Sequence, residues 1–314
     1  MEFVNPQCSA GPPVRLEIAR AAPGHKDHGG NVLAPGEIVM SRRSMGATLG
    51  PLRARLSRGE RQLPGYLVVG TKRGGSTSLA EWITLHPDVG QSRSGKGTHY
   101  FDVNFGRGFH WYTSQFPKLD EGYVLVGESS PYYMFHPLAP RRIRAALPDV
   151  KIVMCLRDPV ARAWSHHAYE VSHGHEVESF ERALDLEPSR LEGEEARIVA
   201  DPRYAADHWR YHAYLRRGHY AEQLQTFHDL FGPEQVLVVQ SEALFADPHG
   251  QMDRVFSFLG LEPHRSGQLE ARNANKPYGQ MTPETFTRLA DYYTPLNDRL
   301  RAMPGVDFAW HYGR

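Results

Sequence analysis

Between Tyr66 and Leu79 an apolar run, Tyr66-Leu-Val-Val-Gly70, leads into a basic glycine turn, Thr71-Lys-Arg-Gly-Gly75, and then into a hydroxyl-rich helix start, Ser76-Thr-Ser78. A strand feeding such a turn aims backbone N–H groups and the positive end of a helix at one point, which suits a phosphate or sulfate group. Lys72, Arg73, Gly74, Gly75, Ser76, Thr77 and Ser78 are therefore candidate anion ligands. In Leu156-Arg-Asp-Pro-Val-Ala-Arg-Ala-Trp-Ser165, Arg157 leaves the end of an apolar run, and Ser165 falls about two turns into the following helix. Both can face one phosphate from different elements, the arginine as a planar charge-assisted fork. Arg162 either joins them or is a solvated helix residue or salt-bridge partner. Gly127-Glu-Ser-Ser-Pro-Tyr-Tyr133 puts a carboxylate, Glu128, at a strand end, for an active-site or a hydrogen-bonding role. Lys96-Gly-Thr-His-Tyr-Phe-Asp102 carries His99, which can take a proton near neutral pH.

The glycine loop admits other readings. Gly70 and Gly75 have the spacing of the two glycines of a nucleotide-kinase P-loop, but that motif continues with Lys and then Ser or Thr, where this chain has Ser76-Thr77. The missing lysine argues against ATP chemistry, and a plain strand-to-helix joint is the third option. His173-Gly-His175 imitates a metal pair, yet no Cys or carboxylate set completes a tetrahedral site, so it reads as a solvated helix end and no metal is predicted.

The elements that must position these groups follow a βαβ rhythm, which implies an α/β fold with a central parallel sheet flanked by helices. Strands are expected over Tyr66–Gly70, Tyr123–Gly127, Lys151–Leu156 and Gln235–Gln240. Helices are expected over Ser76–Leu85, Leu138–Leu147, Pro159 to about His173, most of Tyr204–Phe231, residues 248–259 with Gly260 as the stop, and Pro283–Met303. Residues 1–62 mix Gly, Pro, Arg and Ser and read as a flexible or irregular extension, leaving 63–314 as the domain. Thirty-six basic residues balance thirty-six acidic ones, so no global field favours nucleic acid or an anionic membrane. No apolar stretch approaches the roughly 20 residues of a membrane span, and the N-terminus lacks the order of a secretory signal, so a cytoplasmic location is expected. Cys8 and Cys155 read as unpaired thiols, the second in the core.

Taken together, the four segments resemble the sulfotransferase family that uses 3′-phosphoadenosine 5′-phosphosulfate (PAPS), especially its carbohydrate and heparan-type branch with bacterial relatives, from about residue 66 to the C-terminus. Arg217-Gly-His-Tyr220, the Val236–Val239 strand and Phe258-Leu-Gly-Leu261 recur in the same order. The resemblance implies that the Lys72–Ser78 loop grips the 5′-phosphosulfate, that Arg157 and Ser165 hold the 3′-phosphate, and that the product is adenosine 3′,5′-bisphosphate. Tyr220 and the loop around Asn275-Lys-Pro-Tyr278 would cover the cofactor, with Lys276 on a phosphate. Ser130 would contact the ligand and Lys96 would organise substrate or sulfate; Tyr132, with Tyr100, Phe101, Trp111 and Tyr133, lines the acceptor cleft or belongs to the core.

Three departures stand out. Ser129 replaces the lysine of the family's Gly-Glu-Lys-Ser-Pro segment, and Gly97 stands where the heparan-type branch has its glutamate base. His99 is then the first candidate for the base and Glu128 the second. Arg73 occupies the family's catalytic lysine position as an electrostatic stabiliser, with Lys72 one place earlier as a substitute. The expected reaction is in-line sulfuryl transfer from PAPS to an alcohol, phenol or sugar hydroxyl, with an amine acceptor, an NTP-dependent phosphotransferase and a non-catalytic nucleotide binder as the alternatives.

Overall fold

A computed structural model describes residues 60–95, 97–267, 269–270 and 279–313. The expected extension up to residue 59, Lys96, and the Asn275–Tyr278 loop with Lys276 lie outside the described residues.

The chain builds a five-stranded parallel sheet, β1 (Tyr66–Gly70), β2 (Val89–Gln91), β3 (Leu125–Ser129), β4 (Lys151–Leu156) and β5 (Val236–Gln240), in the order β2-β3-β1-β4-β5. Tyr66 is in register with Gly127 on one side and Lys151 on the other, which puts β1 at the centre with every residue buried. An unbroken apolar run suits a strand covered on both faces. Side-chain alternation divides the core in two. Leu67, Val69, Val126, Ile152, Met154 and Val238 face one layer; Tyr66, Val68, Val153, Cys155 and Val239 face the other.

The described helices are α1 (Ser76–Thr84), α2 (Phe109–Ser114), α3 (Ala139–Ala146), α4 (Pro159–Ser172), α5 (Phe180–Leu191), α6 (Glu194–Ala200), α7 (Asp207–Tyr211), α8 (Tyr220–Phe231), α9 (Ser241–Ala246), α10 (Pro248–Leu259) and α11 (Pro283–Arg301). Ile143 of α3 and Leu224 and Phe227 of α8 pack on the first layer, while Leu79 and Trp82 of α1 and Val255 and Phe256 of α10 pack on the second. Gly260 ends α10 in the left-handed region at φ 79°, as the sequence implies. Among the described residues, no helix is long and apolar enough to cross a membrane.

Several elements differ from expectation, and no helix was expected at α2, α5, α6 or α9. The second strand begins at Leu125 rather than Tyr123, because Val124 turns outward at 50% exposure and the pairing runs on through Glu128 and Ser129. The mostly helical stretch expected over Tyr204–Phe231 breaks into α7 and α8, with a single turn of 3-10 helix, Arg216–Gly218, in the connection between them. The short strand β2 was not expected; it pairs with β3 through Val89, Gly90 and Gln91.

Candidate active site

In an open parallel sheet the strand order reverses beside the first strand, and ligands bind outside the carboxyl ends at that point. Here β1 ends in the glycine loop, β3 in Glu128 and β4 in Arg157, so three of the four motifs converge there. The loop is pressed on β4: the Thr71 amide donates to the Cys155 carbonyl at 2.8 Å. A Cβ at Gly74 would lie 2.6 Å from the Cys155 carbonyl oxygen. Gly75, at φ 92°, turns the chain into α1, whose first-turn N–H groups have no acceptor within the helix. Ser76 and Ser78 are buried and Thr77 is exposed.

Arg73, itself at φ 66°, donates from Nε to Ser165 Oγ at 3.1 Å and lies with its guanidinium 4.9 Å from the Tyr169 ring centre. The glycine loop is thereby tied to α4. Asp158 caps that helix by accepting from the Val160 amide at 2.8 Å, with Pro159 as its first residue, which fixes where Ser165 falls. Tyr220 is buried behind the strand end, and its hydroxyl donates to the Arg157 carbonyl at 2.8 Å. It therefore supports Arg157 from beneath. Arg162 is neither solvated nor salt-bridged: it is fully buried, with one nitrogen donating to the Tyr214 carbonyl.

A cavity of about 680 Å³ opens beside the loop, lined among others by Lys72, Arg73, His99, Glu128, Tyr132 and Arg217. Arg157 and Ser165 are not among its lining residues. Glu128 is buried and accepts four hydrogen bonds: from the Thr98 amide at 2.5 Å, the Thr98 hydroxyl at 2.8 Å, and the Ser130 and Tyr133 hydroxyls at 3.0 Å each. Burial pushes its pKa up against those bonds, and burial prevails. Ser130 also accepts from the His99 amide at 3.0 Å, so it links Glu128 to the His99 turn.

His99 sits at φ 50°, one third exposed, with Nδ1 2.8 Å from Oδ2 of a fully buried Asp102. Burial acts to lower the imidazole pKa, but the hydrogen bond and charge of Asp102 outweigh it and the pKa ends above the ordinary value. Asp102 orients the ring, and the sequence signal for it was its place three residues after His99. Gly97 explains the missing glutamate. A Cβ there would lie 1.9 Å from the Ser129 carbonyl oxygen and 2.2 Å from Ser130 Oγ, so this turn has closed over the space a side chain needs.

Tyr100, Phe101 and Tyr133 belong to the core, which leaves Tyr132 as the aromatic of that set on the cavity wall. The sequence motifs missed Glu170, His175, Arg210 and Tyr211, which also line the cavity. His173 and His175 lie exposed just past the end of α4, as a solvated helix end implies, and His175 Nδ1 also lies 2.9 Å from Glu170 Oε2. Among the described residues, no group of three or more His, Cys, Asp or Glu is placed to hold a metal ion.

Residues 63–276 match the family model described as a sulfotransferase domain. The chain belongs to the sulfotransferase family. This sulfotransferase is similar to heparan sulfate glucosamine 3-O-sulfotransferase 3A1 of Mus musculus, 30% identical over 90% of this chain and 73% of that one. It is also similar to the membrane-associated sulfotransferase kil1 of Dictyostelium discoideum, at 23% identity over 79% of this chain and 66% of that one. Among solved structures, a sulfotransferase from Alicyclobacillus acidocaldarius superposes with a TM-score of 0.63 at 28% identity, covering 79% of this chain and 98% of that one. The parallel-sheet fold, the enzyme class and sulfuryl transfer as the reaction are thereby upheld, and the kinase and binding-only readings fall away. The cytoplasmic location does not survive the comparison: relatives named for heparan sulfate and as membrane-associated point away from it.

Proposed function

We propose that this sulfotransferase carries the sulfuryl group of PAPS to a hydroxyl of a carbohydrate of the heparan type. The observation that carries the reading is one cavity lined by both the cationic glycine loop and His99, whose Nδ1 lies 2.8 Å from the buried Asp102 behind it. The residues present fit such a donor. The loop offers Lys72, Arg73 and the α1 N-terminus, and Arg217 is buried with Nε and Nη1 lacking a hydrogen-bond partner. Burial pushes that guanidinium down only to about 10, so it keeps its charge near neutral pH. The donor, when bound, supplies a sulfuryl group already activated on a phosphate leaving group.

Lys72, Arg73 and the first-turn amides of Ser76, Thr77 and Ser78 hold the sulfate-bearing end, with Gly74 and Gly75 permitting the close approach. Arg157 and Ser165 hold the other phosphate, with Tyr220 fixing the Arg157 backbone. With Nδ1 engaged by Asp102, His99 takes the acceptor proton at Nε2. Glu128 has its oxygens committed to four donors and acts as the hub that holds Thr98, Ser130 and thereby the His99 turn. Tyr132 and Ser130 belong to the acceptor side of the cavity, with Ser130 serving chiefly through its bond to the His99 amide. Positioning and charge, with no covalent intermediate, account for the rate.

Sulfur-labelled PAPS incubated with heparan sulfate oligosaccharides, followed by analysis of the linkage formed, tests this reading. Label on sugar oxygen supports it. Label confined to glucosamine nitrogen overturns the hydroxyl acceptor, and failure of the protein to bind adenosine 3′,5′-bisphosphate overturns the donor assignment.

A further inference from the structure

Glu170 lies in the last turn of α4 with its side chain fully buried, yet it touches three basic groups. Oε1 pairs with the Lys72 ammonium and lies 3.0 Å from His166 Nε2, and Oε2 lies 2.9 Å from His175 Nδ1. The His175 amide closes the turn on the Glu170 carbonyl at 2.9 Å. The Lys72 ammonium also stands 5.3 Å from the Tyr169 ring centre and 5.6 Å from that of Tyr211, and Tyr211 stacks on His175 at 4.1 Å. A carboxylate and two ring faces therefore fix the end of a flexible four-carbon side chain.

We propose that Glu170 is a positioning residue that holds the Lys72 ammonium, in its charged form, beside the donor loop during sulfuryl transfer. The proposal rests on the donor-loop reading above and adds a residue from α4 to it. Arg73, the other cation of the loop, is drawn to Ser165, which leaves Lys72 as the loop cation anchored to the wall the cavity shares with His175.

The surroundings of the pair explain why a carboxylate is needed. Burial, and then the Arg217 guanidinium before α8, push the Lys72 pKa down to about 8, with Arg210 of α7 adding to the fall and Glu170 opposing it. Arg73 comes from the loop itself. His166, on α4, is held well below the ordinary histidine pKa by burial and by the Lys72 charge, so it stays neutral and does not compete with Lys72 as a cation on Glu170. His175 faces the second Glu170 oxygen. With Glu170 neutralised, Lys72 would face cations and neutral rings; its pKa would drop further and its head would be released.

The test compares wild type with Glu170→Gln, Glu170→Asp, Lys72→Met and the Glu170→Gln/Lys72→Met double variant. Thermal melts and bisphosphate titrations come first, then kcat against pH. Glu170→Gln is expected to lower kcat about 10- to 100-fold with bisphosphate affinity preserved, and to move the alkaline limb of the profile to lower pH. Glu170→Asp keeps the charge and is expected to leave that limb in place with a smaller loss of kcat. On a Lys72→Met background the Gln substitution should add little. Wild-type kcat and an unmoved alkaline limb in Glu170→Gln, or full additivity in the double variant, overturn the proposal. If Glu170→Gln does not fold, Glu170→Asp decides: wild-type kcat there overturns the role. A wild type that fails to bind the bisphosphate removes the donor reading and this role with it, and the titration separates that outcome from failure of the Glu170 assignment alone.

Discussion

His99 Nδ1 lies 2.8 Å from Asp102 Oδ2, with the carboxylate fully buried and the ring one third exposed on the cavity wall. Asp102 is itself fixed by accepting the Val103 amide at 2.5 Å. A buried acceptor behind an imidazole one third exposed fixes which nitrogen is engaged and leaves Nε2 free of that bond, the atom to which the proposed mechanism assigns the acceptor proton. In the proposed mechanism the pair does what a glutamate at position 97 has no room to do.

The pH dependence should carry the signatures of two groups. His99 must be neutral to act as a base, and its pKa is raised, so activity is lost as pH falls through a value above the ordinary histidine figure of about 6.5. Lys72 must be charged, so activity is lost again as pH rises through about 8. A kcat profile should be bell-shaped and narrow. Asp102→Asn removes the influence that raises the His99 pKa, so the acid limb should move to lower pH while kcat falls about tenfold or more as the ring loses its orientation. An acid limb that stays in place in Asp102→Asn would show that another group sets it.

Restoring a glutamate at position 97 should harm the protein. The new Cβ would meet the Ser129 carbonyl oxygen at 1.9 Å, and backbone cannot yield as a flexible side chain can. Gly97→Glu is expected to cost on the order of 1–3 kcal/mol, seen as a fall of several degrees in Tm, together with lower activity. A variant as stable as wild type and more active would mean that the turn opens readily and that the glutamate position is still usable.

Arg157→Ala should weaken binding of adenosine 3′,5′-bisphosphate by about 10- to 100-fold, the effect of losing charged hydrogen bonds to a phosphate. Adenosine 5′-phosphate, which lacks the 3′-phosphate, should bind wild type and variant alike. Calorimetric titration of both nucleotides checks the pair, and equal losses for both would move Arg157 away from the 3′-phosphate.

The central strands were legible because each is an apolar run closed by a chemistry-bearing turn: Tyr66–Gly70 before Lys72, and Lys151–Leu156 before Arg157. The β3 register was less so. Its buried end carries Glu128, a residue that breaks an apolar pattern and is tolerated there only because Thr98, Ser130 and Tyr133 supply its donors. The three residues of β2 are too few for a period-2 signal. Within α5 an interior Pro188 masks the helical pattern. For the site, residue type and motif position picked out Lys72, Arg73, Glu128, Arg157 and Ser165, which stand at or just past a strand end or on the helix that follows, whereas His99 lies in an irregular segment and was picked out by its place in the family-like segment alone. Glu170 was not legible. His166 and His175 are its near neighbours in sequence, but Lys72 is 98 residues away, and only the folded sheet brings that ammonium to the carboxylate.

The most direct test is transfer of labelled sulfuryl from PAPS to heparan sulfate oligosaccharide by wild type and His99→Ala, each saturated with donor and each shown to bind the bisphosphate. The account predicts measurable transfer by wild type and a fall in kcat of about 10²- to 10⁴-fold in the variant, the range a positioned general base provides. Wild-type turnover in His99→Ala would contradict it.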